Sequence, residues 1–269
     1  MNLQTILTLT PEHASGDSPG GVFAGTGPNY PWGGLYGGQI VAQALAAASE
    51  TVKPEFAVHS LHAYFIRAGD ESLPVRYEVD RIRDGRSFTT RRVVALQNDT
   101  AILNMSSSYQ IAEDAPDAQT VTMPDVPVPG ELDNTSWTEA FDRRNFEIPG
   151  DNFGRSTAWF RATADLGDAP STHACALSYI SDDLPTEAVM RSHPDCPATF
   201  DEDNWPFWNA SLDHAIWFHR PMRADEWHLH DYRSPGTINS RGLSIGKVFT
   251  AEGTHVATIS QEVLLRPVR

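Results

Sequence analysis

The chain has 269 residues, one large domain or two small ones at a typical domain length of about 150, and its 40% hydrophobic content with seven Trp and twelve Phe excludes the disordered and collagen-like classes. Twenty Lys and Arg against 35 Asp and Glu leave a net charge of -15, which argues against non-specific nucleic-acid binding, because that needs basic side chains to displace counterions from phosphates. Cys175 and Cys196 are too few for a disulfide framework or a four-ligand zinc site and point to a reducing compartment.

Residues 1–10 lack the basic flank and unbroken apolar stretch of a signal peptide, and no run approaches the roughly 18 apolar residues of a membrane span. With an Arg266-Pro267-Val268-Arg269 end in place of a Ser-Lys-Leu tail, the expectation is a cytoplasmic protein without a membrane span. The first strong periodicity opens at Gly37-Gly38, where Ile40, Val41, Ala44, Leu45 and Ala48 share one face of a helix. Four strand-like runs follow, at 56–67, 75–83, 87–97 and 101–110, punctuated by Gly69-Asp70, Asp84-Gly85 and Asn98-Asp99.

Residues 112–134, rich in Pro, Asp and Val and without periodicity, read as an exposed linker between a first unit at 1–111 and a second at 135–269. The second unit repeats the order of the first, with a strand at 158–164, a helix at 171–182 and strands at 212–220, 226–233, 243–250 and 255–266. Tyr64-Phe65-Ile66-Arg67 matches Trp217-Phe218-His219-Arg220 at an offset of 153, while Ala44-Leu45 matches Ala176-Leu177 at 132. The difference, 21 residues, falls in the segment 183–210, whose Phe200, Trp205, Phe207 and Trp208 suit either the wall of an apolar channel or a satellite core. A helix followed by an antiparallel meander, twice, predicts an α+β fold with the two sheets joined into one.

Several motifs occur in order: Gly37-Gly38-Gln39, His59-Ser60-Leu61-His62, the run Val79 to Phe88, Tyr179-Ile180-Ser181-Asp182, Ser211-Leu212-Asp213-His214 with Trp217-Phe218-His219-Arg220, and Gln261-Glu262. Together they resemble the type II acyl-CoA thioesterases, the double-hotdog family, over nearly the whole chain. The resemblance implies two hotdog units, each a long helix wrapped by an antiparallel sheet. It also implies hydrolysis of acyl-CoA by a water activated without a covalent intermediate, with the acid on Asp182, the hydroxyl on Ser211 and the amide on Gln261. Gly38, at a positive helix end, is the implied oxyanion donor.

Read without the family, each residue keeps a second interpretation. A carboxylate in the last turn of a buried helix has its pKa raised by the macrodipole and by desolvation, which suits a base, yet Asp182-Asp183 also reads as a helix end. Ser211, opening a strand, can simply bond nearby backbone, and Gln261 can face solvent. Among Arg81, Arg83, Arg86, Arg91 and Arg92, Arg86 is the expected phosphate partner, the alternative being solvated strand arginines.

Two other patterns are set aside. Gly242-Leu243-Ser244-Ile245-Gly246 matches the nucleophile elbow, but it lies in a strand that no helix follows and only 23 residues remain after it. His228 and His230 share one strand face without a carboxylate or Cys partner, so they read as exposed or hydrogen-bonded histidines, and no metal or cofactor is expected. The expected partners are an acyl-CoA substrate and a second or further copy, as a homodimer or homotetramer. The rival functions are a hotdog enoyl hydratase or dehydratase using an Asp and His pair, and a non-catalytic acyl-thioester binding protein.

Overall fold

The computed structural model describes residues 1–12, 20–197 and 205–268. The first half contains α1 (Leu3–Leu7), β1 (Thr10–Glu12), β2 (Val22–Gly25), α2 (Gly37–Ser49), β3 (Phe56–Phe65), β4 (Val75–Asp84), β5 (Phe88–Gln97) and β6 (Thr100–Ile111). The second contains β7 (Phe141–Asn145), β8 (Arg155–Ala162), α3 (Pro170–Ile180), α4 (Pro185–Arg191), β9 (Phe207–Ser211), β10 (Asp213–Phe218), β11 (His228–Ile238), β12 (Arg241–Thr250) and β13 (His255–Pro267). No described helix is long and apolar enough to cross a membrane.

All strands belong to one sheet in the order β1-β2-β4-β5-β6-β3-β10-β13-β12-β11-β8-β7, with β9 added on β13. Around the central joint the halves mirror each other. β2-β4-β5-β6-β3 on one side has the same plan as β8-β11-β12-β13-β10 on the other, all antiparallel. The joint is the antiparallel pair β3 and β10, in which Tyr64 faces Asp213 and Ser60 faces Trp217. The fold is therefore the α+β double hotdog, with its sheets continuous as expected.

Local chemistry accounts for the elements. α2 is an Ala-rich helix whose Ile40, Val41, Ala44, Leu45 and Ala48 are all buried, and α3 begins with Pro170 at its first position, where a missing N–H costs nothing. α2 and α3 pack against each other on the concave side of the sheet. The hairpins β5–β6 and β11–β12 turn through Asn98-Asp99 and Asn239-Ser240, all at positive φ, as two-residue turns that follow strand twist require.

Three sequence readings are changed or decided. The second helix ends at Ile180 with Ser181 as its cap, so Asp182 sits in the turn beyond it and not in the last helical turn. The 183–210 segment, of which 198–204 including Phe200 lie outside the described residues, carries α4 and β9. There Phe207 packs with Val189, Met190, Val263 and Leu265, and Trp205 lies against them, as a satellite core, while Trp208 stays exposed. The third change concerns 112–128, which has no regular structure yet is docked and not free. Val121, Met123 and Val126 cover Trp159, Leu229 and Phe249, and the Trp159 indole N–H donates to the carbonyl of Pro127 at 2.9 Å.

Candidate active site

The turn after α3 returns the chain to the start of α2, and this crossing places Asp182 between the two halves. The approach is so close that only glycine fits. A methyl group at Gly37 would lie 2.6 Å from a carboxylate oxygen of Asp182, and one at Gly38 would lie 2.3 Å from the carbonyl oxygen of Tyr179. The Gly38 N–H donates to the Asp182 carboxylate.

Strands β9 and β13 supply the other groups. Ser211 closes β9, and is not the opening residue of a strand as the sequence suggested; its hydroxyl is 3.3 Å from Asp182 Oδ1. Gln261 points inward from β13, fully buried, and its Nε2 donates to Ser211 Oγ at 2.7 Å and also bonds Asp182. The solvent-facing reading of Gln261 is thus excluded. Asp182, Ser211 and Gln261 come from the second half and Gly38 from the first.

Burial is the largest influence on Asp182 and pushes its pKa up to about 7, with the charge of Asp183 adding to the rise. Hydrogen bonds from Gln261, Gly38 and Ser211 oppose it by favouring the ionised form. Asp183 differs although it is adjacent. Its Oδ2 is 3.0 Å from the Arg143 guanidinium and its Oδ1 accepts from the Trp137 indole.

A residue that sequence reasoning quoted but did not weigh completes the cluster. His214, fully buried on β10, has Nδ1 at 2.5 Å from Gln261 Oε1 and Nε2 at 2.9 Å from Ser181 Oγ. Its only sequence signal was its place in Ser211-Leu212-Asp213-His214. Tyr232 was missed as well; its hydroxyl donates to the Ser181 carbonyl at 2.7 Å.

Arg86 is not brought to this cluster. It is exposed in the β4–β5 hairpin, where Phe88 faces Gln110 near the Phe56 end of β3. The Asp182 corner touches Phe65 at the other end, nine residue steps or about 30 Å away along the strand. Arg91 is buried and donates to Thr51 and Asp84, and Arg92 pairs with Asp80.

The elbow-like Ser244 lies inside β12 directly opposite Gln261, fully buried, its hydroxyl without a partner among the described residues. No helix follows it. His228 and His230 are both buried, and the hydrogen-bonded reading holds for His228 but not for His230. His228 Nδ1 is 2.9 Å from the Glu226 carbonyl oxygen, while its Nε2 and both nitrogens of His230 have no partner among the described residues. No group of three metal-ligating side chains occurs among those residues.

Comparison with known proteins places this cluster in context. A family model described as the acyl-CoA thioesterase N-terminal domain matches residues 26–110, and one described as the acyl-CoA thioesterase C-terminal domain matches 113–265. Human acyl-coenzyme A thioesterase 8 is 33% identical over 266 residues, covering 86% of this chain and 80% of that protein. Acyl-CoA thioesterase 2 of Haemophilus influenzae is 30% identical over 273 residues, covering 91% and 92%. The crystal structure of an acyl-CoA thioesterase II from Mycobacterium marinum superposes with a TM-score of 0.82 at 36% identity, covering 100% of this chain and 98% of that one.

Proposed function

The chain belongs to the acyl-CoA thioesterase family, and from that premise we propose that it hydrolyses acyl-CoA by direct attack of a water held by Asp182, Ser211 and Gln261. The enzyme is a thioester hydrolase; the residue roles are our reading. The observation that carries them is a buried carboxylate with a pKa of about 7, ringed by three hydrogen-bond donors and paired with no cation among the described residues.

Ser211 Oγ lies 2.7 Å from Gln261 Nε2 and 3.3 Å from Asp182 Oδ1, so one water resting on this triangle reaches all three within hydrogen-bond distance. Asp182 accepts a proton from that water as its oxygen bonds to the thioester carbonyl carbon. Collapse of the tetrahedral intermediate breaks the C–S bond, and the proton on Asp182 passes to the departing thiolate, leaving a free acid and coenzyme A. A base with a pKa near the working pH suits both transfers. The Gly38 N–H starts on the carboxylate, which helps keep Asp182 ionised. Once Asp182 takes the proton that bond weakens, and the amide is then available to the developing oxyanion.

The test is release of free thiol from a panel of acyl-CoAs by the wild type and by Asp182→Asn. Binding without release would make the chain an acyl-thioester binding protein, and hydration of an enoyl-CoA without thiol release would make it a hydratase. His214 lies beyond Gln261 from Asp182, so the Asp and His pair required for hydration has no support here.

We further take the enzyme to act in the cytoplasm as a homodimer or homotetramer. Free Cys175 and Cys196 suit a reducing compartment. Tyr64, Trp217, Leu243 and Ile245 are exposed on the face of the sheet opposite the helices, interspersed with Asp213 and Glu262, a face that a second copy would cover. A monomer by light scattering at micromolar to millimolar concentration overturns the assembly.

A further inference from the structure

A primary amide has nearly the same shape either way round, so nothing intrinsic to Gln261 decides which end meets Ser211 and Asp182. The decision matters. With Nε2 forward the residue donates toward the carboxylate and the water; with Oε1 forward it would oppose a carboxylate with a carbonyl oxygen.

The partners on both sides make the choice. The Asp182 carboxylate requires Nε2 in front, which puts Oε1 behind, 2.5 Å from His214 Nδ1, and because a carbonyl oxygen only accepts, Nδ1 carries the proton. Burial holds the His214 ring neutral, with its pKa pushed down to about 4. Nε2 then bears no proton and accepts at 2.9 Å from the Ser181 hydroxyl, which also lies 3.1 Å from the Ser178 carbonyl oxygen and donates to only one of the two at a time. From the histidine onward the donors point one way: His214 to Gln261, Gln261 to Ser211, Ser211 to Asp182, and Ser181 joins the same direction when its proton is on His214. Ser181 is also the cap of α3 and the neighbour of Asp182, so the chain of bonds closes on the backbone turn that carries the base.

Resting on the hydrolytic reading above, we propose that His214 is a positioning residue which locks the amide of Gln261 with its Nε2 toward Ser211 and Asp182. The lock holds the amide while Asp182 is neutral, when the carboxylate no longer attracts the N–H by charge. Without it the amide turns, and the base loses a bond that favours its ionised form.

Among the described residues the titratable groups near Asp182 are few, and His214 itself is held neutral down to about pH 4. Asp183 is paired with Arg143, Tyr36 before α2 and Tyr232 on β11 are kept neutral by burial, and Asp213 and Glu262 lie on the other face of the sheet. A change in the acid limb of the rate profile therefore reports Asp182.

Two substitutions of His214 separate positioning from packing. Asn places an amide nitrogen near the position of Nδ1 and keeps a donor for Gln261, whereas Gln places its polar end near Nε2 and loses that donor. His214→Asn is expected to stay within about fivefold of wild-type kcat, whereas His214→Gln loses roughly ten- to a hundredfold, the cost of a misplaced catalytic group. KM is expected unchanged in both, and His214→Gln moves the acid limb of the profile to higher pH.

Nitrogen-15 spectra of the unmodified protein labelled at histidine provide a second readout, independent of variant folding. The expected signature is two buried histidines protonated at Nδ1 and bare at Nε2 at neutral pH, His214 and also His228, whose Nδ1 lies 2.9 Å from the Glu226 carbonyl oxygen, told apart by sequence-specific assignment. Equal losses in folded His214→Asn and His214→Gln, or a His214 protonated at Nε2, overturns the proposal. Full activity in Asp182→Asn would overturn the base reading instead, so the two failures are distinct.

Discussion

The carboxylate of Asp183 lies 3.0 Å from the guanidinium of Arg143, both side chains almost wholly out of solvent. One residue earlier, Asp182 has hydrogen-bond donors and no such cation. Adjacent carboxylates are thereby given different surroundings, one held in an ion pair and the other poised to take a proton.

The two are expected to move stability in opposite directions. Asp183→Asn breaks a buried ion pair and costs about 3 kcal/mol. For Asp182 the folded pKa, about 7, lies above the ordinary 3.8, so the folded state binds the proton more tightly. The penalty for ionising it inside the fold is absent below pH 4 and grows as pH rises through 7. Asp182→Asn removes that penalty and gains stability at pH 8, by about 4 kcal/mol at most. Urea unfolding at pH 4 and pH 8 checks both; a stabilised Asp183→Asn or an Asp182→Asn that loses stability at pH 8 contradicts the assignment.

Buried neutral histidines predispose the fold to acid. His214 and His228 have pKa values lowered to about 4, and that of His230 is pushed well below the ordinary value, chiefly through burial. Their contribution is present above the ordinary 6.5 and is lost as pH falls toward 4. Between those limits unfolding takes up about three protons at these rings and releases about one from Asp182, a net uptake of about two. Denaturation midpoints measured from pH 7 to pH 4.5 should fall, and His230→Leu should reduce the pH slope by about one proton. A slope unchanged in His230→Leu contradicts the account.

Ser244 provides a negative control. Its hydroxyl is buried without a partner among the described residues, opposite Gln261 in the ladder. Ser244→Ala is expected to keep thioester hydrolysis within a few-fold and to leave stability unchanged or raise it by about 1 kcal/mol, because an unsatisfied buried group is removed. Parallel thiol-release and thermal-melt measurements decide it.

Much of this architecture was legible in the chain. Helical spacing after Gly37-Gly38 located α2, and alternation with Asn98-Asp99 located the meander. The ordered motifs brought Asp182, Ser211 and Gln261 together. What escaped was short or long-range. α4 spans seven residues, too few for periodicity to declare itself. The stretch 112–128 has linker composition, and only the tertiary positions of Trp159, Leu229 and Phe249 reveal that Val121, Met123 and Val126 dock there. The Gly38 amide reads as free at a helix start; its bond to Asp182 arises because a turn 144 residues later in the sequence returns to it. Arg86 fits a basic motif, but strand register carries it to the far end of the sheet.

The most direct measurement is the pH dependence of kcat/KM for acyl-CoA hydrolysis, followed by thiol release, in wild type and Asp182→Asn. Wild type is expected to lose activity as pH falls through about 7, where Asp182 becomes protonated. Asp182→Asn should fold, lose that limb and fall by at least about a hundredfold, the lower end of a general base's contribution. An Asp182→Asn enzyme that hydrolyses at the wild-type rate, alongside an inactive Ser244→Ala, would contradict water attack and restore Ser244 as a nucleophile.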